Sequence, residues 1–168
     1  AKENINVEES TFEEVRKVIL DNTTRQQKSA FPDVHTQDRG DLIIPSMSEY
    51  ISICKKYEKK CVLEIKGGWT KDSIKKMVEE IKELDYLENV IFISFGLENL
   101  VVLREVLPQQ KAQYLVCEFN DEVLEVLNKY DFDLDIMHSA ITKELVETGH
   151  KNNHIVNCWT VNNAVDAE

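Results

Sequence analysis

From Cys61 onward, short apolar runs alternate regularly with longer amphipathic stretches. Cys61–Lys66 predicts a strand whose mostly apolar start reads as buried on both faces. Thr70–Leu84 predicts a helix, with Ile74, Met77, Val78 and Ile81 at three- and four-residue spacing. Val90–Phe95 follows as a strand, Glu98–Val106 as a helix and Ala112–Cys117 as a strand. Asp121–Tyr130 is a helix capped by Asn120, Leu134–Met137 a strand, Thr142–His150 a helix and Ile155–Val161 a strand. Asn162 or Asn163 then caps the start of a further helix. Upstream the pattern is different. Residues 1–10 are polar and read as loop, and Thr11-Phe12-Glu13-Glu14 has the capping-box spacing that opens a short helix through about Leu20. Residues 21–42 are polar and without a clear period, the signature of a functional or mobile loop. Ser46-Met47-Ser48-Glu49, just after Pro45, is a second capping box, opening a helix with apolar Tyr50, Ile51, Ile53, Cys54 and Tyr57. The expected organisation is one domain over 1–168: an irregular lead-in over 1–45, then regular β/α units over 46–168.

Strands alternating with helices imply a parallel sheet covered by helices. A doubly wound open sheet and a (β/α)8 barrel both fit; five strands suffice for the first and are too few for the second. The units share no sequence similarity with one another, so they do not form a solenoid repeat. Side chains alternate along a strand, so Glu64 and Lys66 share one face, at the C-terminal end of their strand and just before Gly67 and Gly68. Ser94, Phe95, Glu118, His138, Trp159 and Asn162 also fall at strand C-termini. Ligands bind beyond those ends in both architectures, so the recurrence points to one polar mouth assembled from several strands. No strand is followed by a glycine-rich phosphate loop, which counts against dinucleotide binding.

Composition narrows the function classes. The chain has 168 residues, 42 % hydrophobic and 30 % charged, ordinary for a globular protein. Its net charge of −11 repels nucleic acid and anionic lipid, and no basic patch with interleaved aromatics offsets it, so no nucleic-acid partner is expected. No run reaches the roughly 18 apolar residues of a membrane span, and Ala1-Lys2-Glu3-Asn4 neither begins a signal peptide nor supplies an initiating Met. Cys54, Cys61, Cys117 and Cys158 are widely spaced, without a CxxC; they read as buried free thiols, with a disulfide framework or zinc site as the alternative, and lean towards a reducing, cytoplasmic compartment.

Four motifs, in order and spacing, resemble the glycerophosphodiester phosphodiesterases: "IIPSMSEY" at 43–50, "VLEIKG" at 62–67, "VIFISF" at 90–95 with "LENL" at 97–100, and "CWTVN" at 158–162. The pairing of Leu-Glu-Ile-Lys with Trp-Thr-Val-Asn is the specific part, and the resemblance spans residues 43–168. It implies a TIM barrel, of which this chain carries about the third to seventh strands. The family's His-Arg-Gly, Glu-x-Asp and His-Asp motifs and its eighth strand have no counterpart here. Gln37-Asp38-Arg39-Gly40 only superficially echoes the first, since it precedes a third strand and sits in a polar loop.

The resemblance makes Glu64 a ligand of a divalent metal, Ca or Mg, and Lys66 the cation facing the phosphate; a solvated Glu64–Lys66 pair is the plainer alternative. Trp159 would line the substrate pocket, with a glycerol moiety against its ring, rather than pack under helices. Phe95 would be a pocket residue or an ordinary core Phe, and His138 a substrate contact or a surface histidine. His35, His150 and His154 read as solvated. The implied reaction is metal-dependent hydrolysis of a glycerophosphodiester, a small-molecule substrate, to an alcohol and glycerol 3-phosphate. The acid–base histidines and two acidic metal ligands belong to the motifs without a counterpart, so the chain alone is expected to be inactive. An open five-strand piece would also expose edges and inner faces, which favours pairing with the missing strands or with a second copy. A non-catalytic barrel-derived binding or scaffold protein, or an unrelated open α/β binding module, are the other readings.

Overall fold

A computed structural model describes residues 5–18 and 43–165. The period-free stretch 21–42, with His35 and Gln37-Asp38-Arg39-Gly40, lies outside the described residues. The chain divides into two units, Ala1–Tyr50 and Ile51–Glu168.

In the first unit both capping boxes form. Thr11 caps α1 (Phe12–Arg16) by accepting from the Glu14 amide at 3.3 Å, and the Glu14 carboxylate accepts from the Thr11 amide at 2.8 Å. The bond from the Thr11 amide, with a second from the Thr11 hydroxyl at 2.8 Å, holds the Glu14 carboxyl below its ordinary range. The described helix is shorter than the expected run to Leu20. Lys17 is its C-cap, and β-branched Val18, which favours helix poorly, follows outside the helix; Ile19 and Leu20 lie outside the described residues. The second box opens α2 (Met47–Lys56): the Ser46 amide donates to Glu49 at 2.7 Å and Ser46 Oγ accepts from the Glu49 amide at 3.1 Å. Arg16 grips the same carboxylate with two donors, at 2.7 and 3.1 Å, and donates to the Ile44 carbonyl at 3.1 Å. The bond from the Ser46 backbone and the Arg16 guanidinium together lower the Glu49 pKa against the effect of desolvation. The boundary between the units falls inside α2, after Tyr50.

The second unit is a β/α succession: β1 (Cys61–Glu64), α3 (Lys71–Glu83), β2 (Val90–Ser94), α4 (Leu97–Val106), β3 (Ala112–Val116), α5 (Asp121–Tyr130), β4 (Asp133–Met137), α6 (Lys143–Lys151) and β5 (Val156–Trp159). The five strands are parallel and adjacent in chain order. Their register assigns every residue to a face. Val62 pairs Ile91, Glu64 pairs Ile93, Ile93 pairs Gln113, Leu115 pairs Asp135, Asp135 pairs Asn157 and Met137 pairs Trp159. These residues form the inner face. The other face meets the helices and holds the core: Cys61, Val90, Phe92, Leu134 and Ile136 are fully buried there. Helix α3 buries Ile74, Met77, Val78 and Ile81, the stripe read from spacing.

The sheet is curled rather than flat. The rings of Phe95, just past β2, and Trp159, at the end of β5, lie 5.4 Å apart and edge to face. Three strand spacings on a flat sheet would hold them about 14 Å apart. Five parallel strands curled in this way, with helices on the convex side, make an incomplete (β/α)8 barrel, an α/β fold in which the inner face is lumen.

An open lumen explains the main departures from expectation. β1 is buried on one face only: Cys61 and Ile65 are covered, whereas Val62 is 46 % exposed and Glu64 is exposed. No disulfide joins the four cysteines; Cys54 and Cys61 are buried as expected, but Cys117 and Cys158 are exposed. Cys117 lies just past β3 at the mouth, and Cys158 lies on the helix side of β5, beyond which no further described helix stands. The helix expected from Asn162 or Asn163 would run into residues 166–168, outside the described residues. His154, expected in solvent, is buried and bonded through Nε2 to Asn128 Oδ1 at 2.9 Å; His150 is exposed as expected. Gly149 is the close approach between α6 and β5, since a Cβ there would stand 2.7 Å from Val156 Cγ2. Gly149→Ala is therefore expected to lose about 1 kcal/mol net, overpacking outweighing the gain in helix propensity, measured as a lowered urea midpoint.

Candidate functional site

The mouth lies at the C-terminal ends of the strands. β1 leaves the sheet after Ile65, whose amide still donates to Ile93 O at 2.8 Å. Gly67 then turns the chain at φ 78°, a conformation open to glycine. Glu64 and Lys66 stand on the lumen face of this exit, both exposed, and neither side chain pairs with another described residue. The chain therefore presents a carboxylate and an ammonium to the same space.

Phe95 continues the lumen face of β2, 49 % exposed. Its ring meets that of Trp159, so the ends of β2 and β5 form one aromatic corner. Trp159 is half-buried, with Met137 beside it in register. Its Nε1 is buried and finds no hydrogen-bond partner among the described residues. His138 follows β4 directly, half-buried in a short 3-10 turn over His138–Ala140, and its buried Nδ1 is likewise without a partner. The five residues singled out from sequence, Glu64, Lys66, Phe95, His138 and Trp159, thus all lie at one end of the sheet.

Other strand-end residues separate from this group. Ser94 faces the helices and is fully buried; its Oγ donates to Ile65 O at 2.6 Å, so it braces the β1 exit rather than entering the mouth. Glu118 and Asn162 are exposed beyond their strands.

Two lumen or mouth residues escaped the sequence reading. Asp135, on the lumen face of β4 between Leu115 and Asn157, is 6 % exposed, and its Oδ1 has no partner among the described residues. Burial pushes its carboxyl up to about 6. The signal was present in "DLDIM", where two acids share a face with Met137. Asn99, in the first turn of α4, is buried and bonded to the loop after β1; nothing in "LENL" marks it out.

A divalent cation wants several hard oxygen ligands. Among the described residues, no three His, Cys, Asp or Glu side chains group to hold a metal. On the lumen face the nearest acids to Glu64, Asp133 and Asp135, lie three strands away. The described residues therefore offer one ligand and do not by themselves fit a metal centre. No described helix is long and apolar enough to cross a membrane.

No family model matches the sequence, and no curated protein matches it significantly. Solved structures do share its fold. A phosphodiesterase of Oleispira antarctica, in complex with the product sn-glycerol-3-phosphate, superposes with a TM-score of 0.79 at 21 % identity, covering 96 % of this chain and 62 % of that one. A protein of Silicibacter pomeroyi assigned as a glycerophosphoryl diester phosphodiesterase gives 0.77 at 21 % identity, over 94 % of this chain and 60 % of that one. A glycerophosphodiester phosphodiesterase of Parabacteroides distasonis gives 0.63 at 19 % identity, over 84 % and 63 %. The chain thus spans about three fifths of the length of the structures it resembles.

Proposed function

We propose that the chain forms the third to seventh strands of a glycerophosphodiester phosphodiesterase barrel, whose reaction hydrolyses a glycerophosphodiester to an alcohol and glycerol 3-phosphate. The observation that carries this reading is the gathering of Glu64, Lys66, Phe95 and Trp159 on one lumen face at the strand C-termini, with the two rings in contact. The similar fold of a phosphodiesterase holding sn-glycerol-3-phosphate supports it.

In this reading Lys66 neutralises the phosphate. That need is acute in a chain of net charge −11, which otherwise repels an anion. The glycerol carbons lie against Trp159 and Phe95, and the buried Trp159 Nε1–H and His138 Nδ1, without partners among the described residues, would reach a hydroxyl or phosphate oxygen only on side-chain adjustment as the ligand enters. Glu64 would give one oxygen ligand to a divalent cation, Ca or Mg, whose remaining ligands would have to come from outside the described residues. Bound there, such a cation would stabilise charge on the phosphoryl oxygens. General acid and base groups are likewise outside this set, so the chain taken alone binds product without turnover.

Titration of the chain with sn-glycerol 3-phosphate, followed by isothermal calorimetry, tests this. Saturable binding is expected, weakened about tenfold by Lys66→Ala and by Trp159→Ala. Absence of binding, or binding indifferent to both substitutions, overturns the reading. It would favour instead a barrel-derived scaffold or an unrelated open α/β binding module.

A further inference from the structure

The segment that carries Lys66 is fastened by a side chain from another element. Asn99, in the first turn of α4, is 4 % exposed. Its Nδ2 donates to Gly67 O at 2.7 Å and to Ile65 O at 3.3 Å, and its Oδ1 accepts from the Trp69 amide at 3.1 Å. One amide group therefore bonds backbone on both sides of Lys66 and spans Gly67 and Gly68. Ser94 completes the brace: its Oγ donates to Ile65 O at 2.6 Å, accepts from the Gly96 amide at 3.0 Å and lies 3.3 Å from Asn99 Nδ2. From the far side, Trp69 Nε1 donates to Lys66 O at 3.0 Å. The opposite polarity of the partners on the two ends of the Asn99 amide fixes its orientation. A segment with two adjacent glycines, one at φ 78°, has wide backbone freedom unless it is tied down in this way.

We infer that Asn99 is a positioning residue: it holds the 65–69 segment so that the Lys66 ammonium stands at the lumen mouth, and it acts on an anionic ligand through Lys66 alone. The inference rests on the reading of Lys66 as the phosphate-facing cation. A side chain held rigid by buried partners keeps a binding group in place, and a loosened support weakens binding without touching the ligand. The competing role is purely architectural, the joining of α4 to β1. Leu100, fully buried beside Asn99, serves as the control for a packing residue.

The test uses the whole chain, isotopically labelled, as wild type, Asn99→Ala, Gly96→Ala, Leu100→Val and Lys66→Ala. Gly96→Ala keeps the amide but displaces it, because a Cβ at Gly96 would lie 2.9 Å from Asn99 Nδ2; it carries the test if Asn99→Ala does not fold. Two quantities are measured: hydrogen exchange at the Trp69 amide, and the affinity for sn-glycerol 3-phosphate from the shifts of Lys66 and Gly67. Asn99→Ala and Gly96→Ala are expected to lose protection at Trp69 by about tenfold. They are also expected to weaken binding by about fivefold, towards the Lys66→Ala value, while Leu100→Val does neither. Retained protection at Trp69 overturns the inference. So does a loosened segment with wild-type affinity, or a loss of affinity that Leu100→Val shares. If wild type and Lys66→Ala bind alike, or neither responds, the phosphate reading of Lys66 fails and takes this inference with it. If those two differ while Asn99→Ala binds as wild type, the inference alone falls.

Discussion

Replacing Arg104 by alanine is expected to destabilise the second unit by about 3 kcal/mol. The guanidinium is a hub at the end of the barrel opposite the mouth. Its Nε donates to Tyr130 O at 3.0 Å, one terminal nitrogen donates to Pro108 O and Gln110 O at 2.8 and 2.9 Å, and the other donates to Asp131 O at 2.6 Å. It also lies over the Phe132 ring, 5.1 Å from the centroid. One side chain thus ties the α4–β3 turn to the α5–β4 turn, where Asp131 adopts the left-handed conformation at φ 55°. Removal leaves four carbonyls short of a donor and bares the buried Phe132 face. Lysine brings a single nitrogen and cannot reproduce the planar fork, so Arg104→Lys is expected to recover less than half of the loss. Urea unfolding read by circular dichroism checks both, and sn-glycerol 3-phosphate affinity at the far mouth should not change.

Asp135 gives the second large effect, and its sign is opposite to that of an ion-paired carboxylate. Desolvation raises its folded pKa from 3.8 to about 6. The folded state therefore binds the proton more tightly than the unfolded state. Its contribution to stability is fully present below the unfolded pKa and is lost as pH rises through about 6. A shift of this size has a ceiling of about 3 kcal/mol. Asp135→Asn is expected to raise the thermal midpoint at pH 7.5 and to leave it unchanged or slightly lower at pH 4.5. Parallel pH–stability profiles for wild type and variant would contradict the account.

Much of this architecture was legible because the relevant signals are local. The 3–4 spacing of Ile74, Met77, Val78 and Ile81 defines α3 by itself, and Thr70 caps it by accepting from the Ser73 amide at 3.1 Å. The Thr11 and Ser46 boxes formed as their spacing required. Alternation placed Glu64 and Lys66 on one face, which the register with Ile93 makes the lumen face. Burial that depends on distant neighbours was not legible. Nothing in "CVLEI" tells whether Val62 is covered, because that is decided by strands beyond the sheet edge. His154 is buried and bonded to Asn128, far away in sequence. Ser94 and Asn99 are polar residues in short apolar runs, and their partners are backbone atoms of the loop after β1. Such bonds leave no trace in a periodicity. The joining of Phe95 to Trp159 needed the curl itself.

The most direct test of the central proposal is release of glycerol 3-phosphate from sn-glycero-3-phosphocholine. The polypeptide that carries this chain, in its full natural extent, is assayed with Ca or Mg, as wild type and as Glu64→Gln. The expected result is metal-stimulated release that Glu64→Gln lowers by about a hundredfold, since it removes a charged ligand from the mouth. Release that proceeds equally well in Glu64→Gln, or no release in either metal, would contradict the proposed role of this half-barrel.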